Sequence, residues 1–288
     1  MEDKKIVNEK EEIKREGPLV LDMHKIIRKR LSPGTNRLMP GFLITGLEKV
    51  IHQDELNEIL RVTFPHRGSK FSRKVLEHLD IKVEVEGLDR LLSGRRFMFA
   101  SNHPLGGLDG IALIAVLGEK YGDEKVRFLV NDMLMNVEPL KEVFLPVNKF
   151  GSQGRKGVEL INNAIASDCQ ILQFPAGLVS RLHADGSIAD LEWQKAFVTK
   201  AIETHRDIVP VRFKGLNSRR FYKTASWRKK LGIKVNLEQA LLPSEISRSR
   251  GKHFSIKFGE PISWESLKED SRAPRELASA IRTIVYSL

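Results

Sequence analysis

Cysteine is almost missing from this chain. Cys169 is the only one in 288 residues, which excludes an internal disulfide and a cage of cysteines around a metal, and fits a reducing compartment. It reads as a small buried hydrophobe. Long apolar runs are missing too. No window approaches the roughly 18 to 20 consecutive apolar residues that cross a bilayer, and the opening MEDKKIVNEKEEIKREG has no apolar stretch of the kind a signal peptide carries. The expectation is a cytoplasmic protein. Repeats and low-complexity tracts are also lacking, and with 41% hydrophobic residues the chain is long enough to bury one sizeable core with a smaller appendage.

Negative charge is in short supply. Lys and Arg number 48 against 37 Asp and Glu, a formal net charge of +11, which points to anionic partners: nucleic acid, anionic headgroups, or phosphorylated and acyl-carrier substrates. From Arg212 to Lys234 there is no acid at all, and Phe221, Tyr222 and Trp227 are interleaved with the cations. That stretch reads either as a docking face or as a solvated basic surface with its aromatics turned inward.

Along the chain, residues 1–17 alternate acids and bases with few large apolar side chains and read as a flexible arm. Residues 18–78 read as a small helical unit. In LVLDMHKIIRKRL, Met23, Ile26, Ile27 and Leu31 share one helical face opposite His24, Lys25, Arg28 and Lys29, and Pro33-Gly34 ends the pattern. Such a basic amphipathic helix packs on its own protein or lies on a membrane. Further helices are expected in GFLITGLEKVIHQ and in DELNEILRVTF, the latter with Asp54 as N-cap.

Residues 79–288 change texture. Short β-rich runs at 81–86, 96–101, 126–130, 143–147, 169–174, 207–213, 233–237 and 254–259 alternate with helical patterns near 110–120, 155–166, 192–204 and 273–286. The alternation predicts an α/β domain: a mixed, largely parallel sheet flanked by helices.

Ligands in such sheets gather at the carboxyl ends of strands, and three stretches fall there. In SNHPLGGLDG, residues 101–110, Pro104 biases His103 toward an extended conformation and Gly106-Gly107 allows a sharp turn before Asp109. An aspartate returning on its own histidine fixes the ring tautomer and leaves the other nitrogen as a general base. The alternative is an Asp109 that caps the helix beside an interior histidine. A GxSxG elbow is absent, so the deprotonated hydroxyl would come from a substrate. The second stretch, KFGSQGRKG at 149–157, places glycines, a hydroxyl and cations at a helix N-terminus, a weak phosphate cradle that is neither a P-loop nor a GxGxxG fingerprint. The third, QFPAGLVSR at 173–181, bends at Pro175 and Gly177 and delivers Ser180 and Arg181 to the same sheet edge. Arg181 reads as an anion clamp or as a surface arginine.

Taken in order, these blocks resemble the phospholipid/glycerol acyltransferase superfamily, which includes the lysophosphatidate acyltransferases. Its pattern is NHxxxxD, an FIxR-like block, FPEGTRS, then an apolar block with a proline. NHPLGGLD at 102–109 stands for the first, LPVNK at 145–149 for the second, FPAGLVSR at 174–181 for the third and IVPV at 208–211 for the fourth. The likeness spans roughly 80 to 260 and favours the catalytic reading of His103 and Asp109. It implies an O-acyltransferase in which His103 deprotonates an acceptor hydroxyl that attacks the thioester of acyl-CoA or acyl-acyl carrier protein, supported by Asp109. It implies no metal or redox cofactor. Lys149, with Arg155 as the alternative, would hold the acceptor's anionic group, and backbone amides near Gly106, Gly107 or Gly177 would hold the oxyanion. Asn102, Phe174, Pro175, Ser180 and Arg181 complete the expected substrate-binding set.

The departures matter as much. Five residues rather than four separate His103 from Asp109, so the glycine pair must absorb one. In the third block the family's Glu is Ala176, its Thr is Leu178, and the arginine has moved past Ser180. Those residues help place a glycerol phosphate. Their loss shifts the expected acceptor from lysophosphatidate toward a lysolipid with another headgroup, such as the lyso form of a bacterial amino-acid-containing lipid. The expected location is peripheral, on the inner face of the cell membrane, with the helical unit and residues 212–234 against an anionic leaflet and without a nucleic-acid partner. The rival readings are a hydrolase using His103 with water, and a basic nucleic-acid-binding module.

Overall fold

In the computed structural model the sheet starts from one strand, β2 (Phe97–Ser101), whose five residues are all buried. A continuous apolar run of this kind suits a strand covered on both faces. Its side chains alternate: Phe97 and Phe99 enter one core and Met98 and Ala100 the other. The described residues are 17–22, 45–46, 48–49, 52–92, 94–147, 155–231 and 237–288. The expected helix around Met23 to Leu31, the loop carrying Lys149, and most of the expected strand at 233–237 lie outside them.

Around β2 the chain builds a seven-stranded sheet. The other strands are β1 (Lys82–Glu86), β3 (Val126–Asn131), β4 (Phe144–Val147), β5 (Gln170–Gln173), β8 (Asp207–Lys214) and β9 (His253–Phe258), in the order β1-β9-β8-β2-β5-β3-β4. Neighbours pair in parallel throughout except β8 with β9, which run antiparallel. The sheet is therefore mixed and largely parallel, as expected. Pro210 sits inside the buried strand β8. Its carbonyl accepts the Gly259 amide at 2.8 Å where the β8–β9 ladder, which begins at Val211 opposite Phe258, has ended, so the missing N–H removes no rung there.

Helices cover both faces. On one side α1 (Gln53–Thr63), α2 (Gly68–His78) and α3 (Leu108–Tyr121) put Ile59, Leu60, Phe71, Val75, Leu76, Leu113 and Leu117 into the core that contains Phe97 and Phe99. On the other, α5 (Ala196–Glu203) and α9 (Pro274–Ser287) bring Phe197, Val198, Leu277, Ile281 and Val285 against Met98, Ala100 and Ile208. Helix α4 (Arg155–Ala166) links β4 to β5. Fully buried Arg206 closes the bottom of this arrangement, donating to the carbonyls of Ile165, Phe97 and Cys169 at 2.8, 3.3 and 2.6 Å and to that of Ser167. Burial pulls its guanidinium down to about 10.

Several elements were not anticipated individually: α2, the two-residue hairpin β6 (Arg181–Leu182) with β7 (Ile188–Ala189), and the short helices α7 (Leu242–Ser247) and α8 (Trp264–Glu269), besides the helix within 212–234. The 212–234 stretch contains a helix, α6 (Arg219–Lys230). Two of its three aromatics, Phe221 and Tyr222, are buried with Val179 and Leu241, whereas Trp227 is exposed.

Candidate active site

The adjacent strands β8, β2 and β5 end side by side, and their carboxyl ends carry the loops that meet over the sheet. After β2 the chain is clamped before it turns. Buried Asn102 donates from Nδ2 to the Phe213 carbonyl (2.9 Å) and accepts the Phe213 amide on Oδ1 (2.7 Å). Expected as a substrate ligand, Asn102 instead spends both ends of its amide on β8 and so anchors the residue before His103.

His103 and Asp109 meet. The Nδ1 to Oδ2 distance is 3.0 Å, with the histidine side chain 16% and the aspartate 0% exposed. The extra residue is absorbed at the glycine pair: Gly106 has φ +80, in the region glycine favours, and Gly107, at φ −152, precedes helix α3. A Cβ on Gly106 would come within 2.6 Å of Val179 and 2.8 Å of Leu242, so the turn is also closely packed. Asp109 is not the N-cap. It sits in the first turn of α3, where Oδ2 also accepts the amides of Leu105 (2.9 Å) and Gly106 (3.2 Å) and Oδ1 that of Gly110 (2.9 Å). Burial by itself would raise the Asp109 pKa. The charge on His103 and these hydrogen bonds outweigh it and hold the carboxyl below its ordinary value. With Oδ2 as acceptor, Nδ1 carries the proton and Nε2 has a free lone pair.

The third block shapes the other wall. Phe174 stacks on the imidazole, ring centroids 3.9 Å apart at 21°, and fixes its plane. Pro175 is buried and its carbonyl accepts the Gln194 amide at 3.0 Å. Gly177 (φ +62) lies at a turn, its amide given to the Phe174 carbonyl at 2.9 Å. Of the three amides expected to face an oxyanion, those of Gly106 and Gly177 are thus engaged, and Gly107 is left. Ser180 is buried and donates its amide to the His103 carbonyl at 2.8 Å.

Asp190 escaped sequence reasoning, because one aspartate in a polar stretch carries no pattern. Fully buried, it accepts the His103 amide (3.2 Å) and the Ser180 hydroxyl (2.6 Å) on Oδ1 and the Trp193 indole (3.0 Å) on Oδ2. Its own amide donates to the Tyr286 hydroxyl and its carbonyl accepts from Arg282. It is a hub that joins the two loops and α9.

Arg181 lies beside this hub, and it is already paired. Buried Glu238 sits between Arg181 (3.0 Å) and Arg228 of α6 (2.8 Å). Burial lowers the Arg181 guanidinium from its usual value, with Glu238 pulling the other way. A signal existed in the sequence: Glu238 is the first acid after the long run without one. Lys149 lies outside the described residues, and so does the side chain of Arg155. Among the described residues no cluster of His, Cys, Asp and Glu could hold a metal ion.

An acyltransferase family model matches residues 26–288. A lyso-glycine lipid O-acyltransferase of Phocaeicola vulgatus is 42% identical over 269 residues, covering 93% of this chain and 95% of that protein. One of Bacteroides thetaiotaomicron is likewise 42% identical over 269 residues, covering 93% and 97%. A more distant likeness is the crystal structure of the 1-acyl-sn-glycerophosphate acyltransferase of Thermotoga maritima, with 15% identity, a TM-score of 0.44 and coverage of 85% of this chain and 90% of that one.

Proposed function

The chain belongs to the acyltransferase family, and we propose that it transfers a fatty acyl group from a thioester to the hydroxyl of a lyso-glycine lipid, with His103 as general base. The observation that carries the mechanism is the 3.0 Å contact between Nδ1 of His103 and an Asp109 oxygen pinned by two backbone amides. The substrate class is carried by the two relatives of 42% identity over almost their whole length.

The acceptor hydroxyl gives its proton to Nε2 of His103 as its oxygen attacks the thioester carbonyl. Asp109 stabilises the imidazolium so formed, and the Phe174 stack holds the ring in line. The oxyanion is met by the Gly107 amide at the positive end of α3. As the tetrahedral intermediate collapses, the C–S bond breaks and the thiolate leaves with the proton returned from Nε2. The products are the ester and a free thiol, and neither a metal nor a redox cofactor takes part. Acyl-acyl carrier protein or acyl-CoA is the donor, and Lys149 or Arg155 holds the anionic end of a substrate. Because the acceptor is a lipid, the enzyme works at a membrane surface. Among the described residues no helix is long and apolar enough to cross one.

The test is purified protein with lyso-glycine lipid in detergent micelles and each thioester in turn. Ester formation is expected, and His103→Ala should lower it roughly 10^3-fold with an unchanged circular dichroism spectrum. Turnover like wild type in that variant would end the mechanism. Thioester cleavage at full rate without acceptor would identify a hydrolase instead.

A further inference from the structure

Helix α6 presents two faces of opposite character. Phe221, Tyr222 and Ala225 are buried, and Arg228 points to Glu238. The 3.6-residue repeat puts Arg219, Arg220, Lys223, Trp227 and Lys230, with Leu231 just beyond the helix, on roughly one third of its circumference. All six are exposed, Trp227 at 70% and Leu231 at 72%. Four cations therefore frame a bare indole and a bare leucine. None of those cations has an acidic partner among the described residues.

We propose that this face of α6 docks the enzyme on an anionic lipid bilayer, with Trp227 and Leu231 entering the interface and the cations meeting headgroup phosphates. The proposal rests on the lysolipid reading of the active site. Three observations favour a membrane over nucleic acid or a protein partner. The charge is of one sign and flat along one helix, which complements a uniformly anionic plane. A lone tryptophan next to a leucine, bordered by lysine and arginine, is the composition that sits at the level of lipid headgroups. The helix is also built into the reaction centre: Asn217, just before α6, donates Nδ2 to the Pro104 carbonyl at 3.1 Å. Ser218 is held by Glu245 at 2.6 and 2.7 Å. A bilayer gripped by α6 is thereby set against the loop that carries His103, where a lipid acceptor must arrive.

The experiment uses the full chain and vesicles of phosphatidylglycerol or phosphatidylcholine, with cosedimentation and tryptophan emission as readouts. Trp193 is buried and Trp264 packs against the His205 ring, centroids 4.1 Å apart, so a blue shift on binding should come from Trp227 and vanish in Trp227→Phe. Wild type should bind phosphatidylglycerol in a salt-sensitive way and phosphatidylcholine weakly. The triple change Arg219→Gln, Arg220→Gln, Lys223→Gln should weaken that binding roughly 100-fold, at about fivefold per charge. A control removing three exposed lysines elsewhere, Lys125→Gln, Lys195→Gln, Lys268→Gln, should change it less than about threefold. Equal losses in both triple variants, or unchanged binding in the α6 triple variant, would overturn the proposal. So would salt-sensitive binding to oligonucleotides with none to vesicles. Acyl transfer in detergent micelles separates the two readings: a wild-type enzyme active there but unable to bind vesicles refutes the docking face alone. One inactive on every thioester in micelles refutes the acyltransferase mechanism on which it rests.

Discussion

Asp109→Asn isolates the charge of the pair from its geometry. In many histidine–aspartate pairs an amide substitution flips the ring tautomer, because the new NH2 group turns toward the imidazole. Here the Oδ2 position accepts three donors, from His103, Leu105 and Gly106, whereas Oδ1 accepts one, from Gly110. An asparagine therefore keeps its carbonyl toward the histidine and turns its NH2 toward Gly110. One backbone bond is lost, at a cost of about 1 to 3 kcal/mol in stability. The tautomer survives. What disappears is the negative charge 3.0 Å from the forming imidazolium, worth about 2 to 4 kcal/mol of transition-state stabilisation at the effective dielectric of a partly exposed site. The expected result is a fall in kcat of roughly 30- to 1000-fold, read in the micelle assay, with urea unfolding as the stability measure and nitrogen NMR of His103 reporting the tautomer. A fall under about threefold would reduce Asp109 to an organiser of the loop. A fall beyond about 10^4 with a flipped tautomer would refute the pinned oxygen. Acid offers a second check. The folded pKa of Asp109 is depressed, so its ionic stabilisation is fully present above the unfolded value of about 4 and is lost as pH falls below that toward the folded value. The stability gap between wild type and Asp109→Asn should shrink over that acidic window, and a gap that widens there would show the sign to be wrong.

Other positions test the frame around the pair. Asp190→Asn should cut kcat about tenfold or more while the KM for either substrate stays within about twofold, since Asp190 is fully buried and spends its carboxylate on the His103 backbone, Ser180 and Trp193. A change confined to KM would contradict that role. Gly106→Ala should lower both stability and activity, because its φ is +80 and its Cβ would strike Val179 and Leu242. Gly177→Ala has a similar φ but open space around the Cβ, so it should cost about 1 kcal/mol and keep most activity; equal losses at the two glycines would refute the packing account. Arg206→Met should destabilise by about 3 to 5 kcal/mol in urea unfolding, leaving buried carbonyls from Phe97, Ile165, Ser167 and Cys169 short of a donor. A loss below about 1 kcal/mol would mean that water replaces the guanidinium.

Much of the sheet was legible because strand and helix periodicity are local. FMFAS, VRFLV and DIVPVRF are recognisable from a few neighbours each, and the blocks that resemble the acyltransferase superfamily are contiguous. Local pattern missed β6 and β7, which are two residues long and too short to carry a period. It also left the orientation of α6 open, since a run of alternating cations and aromatics does not say which face meets a core.

By itself, then, the sequence determined the class of fold, the chemical family, and the identity of His103 and Asp109 as candidates. Only the tertiary structure decided which side chains those candidates would meet. Asn102 clamps Phe213, 111 positions away; the His103 amide finds Asp190, 87 positions away; and Arg181 is held by Glu238 rather than left free for a ligand. The turn at Gly106 that brings Asp109 back across one extra residue is short in sequence, but its fit against Val179 and Leu242 is not. The physical reason is common to the three polar pairings. A buried polar group must find its partner wherever the chain places one, and that placement depends on how the strands are ordered, not on what lies next to the residue in the chain.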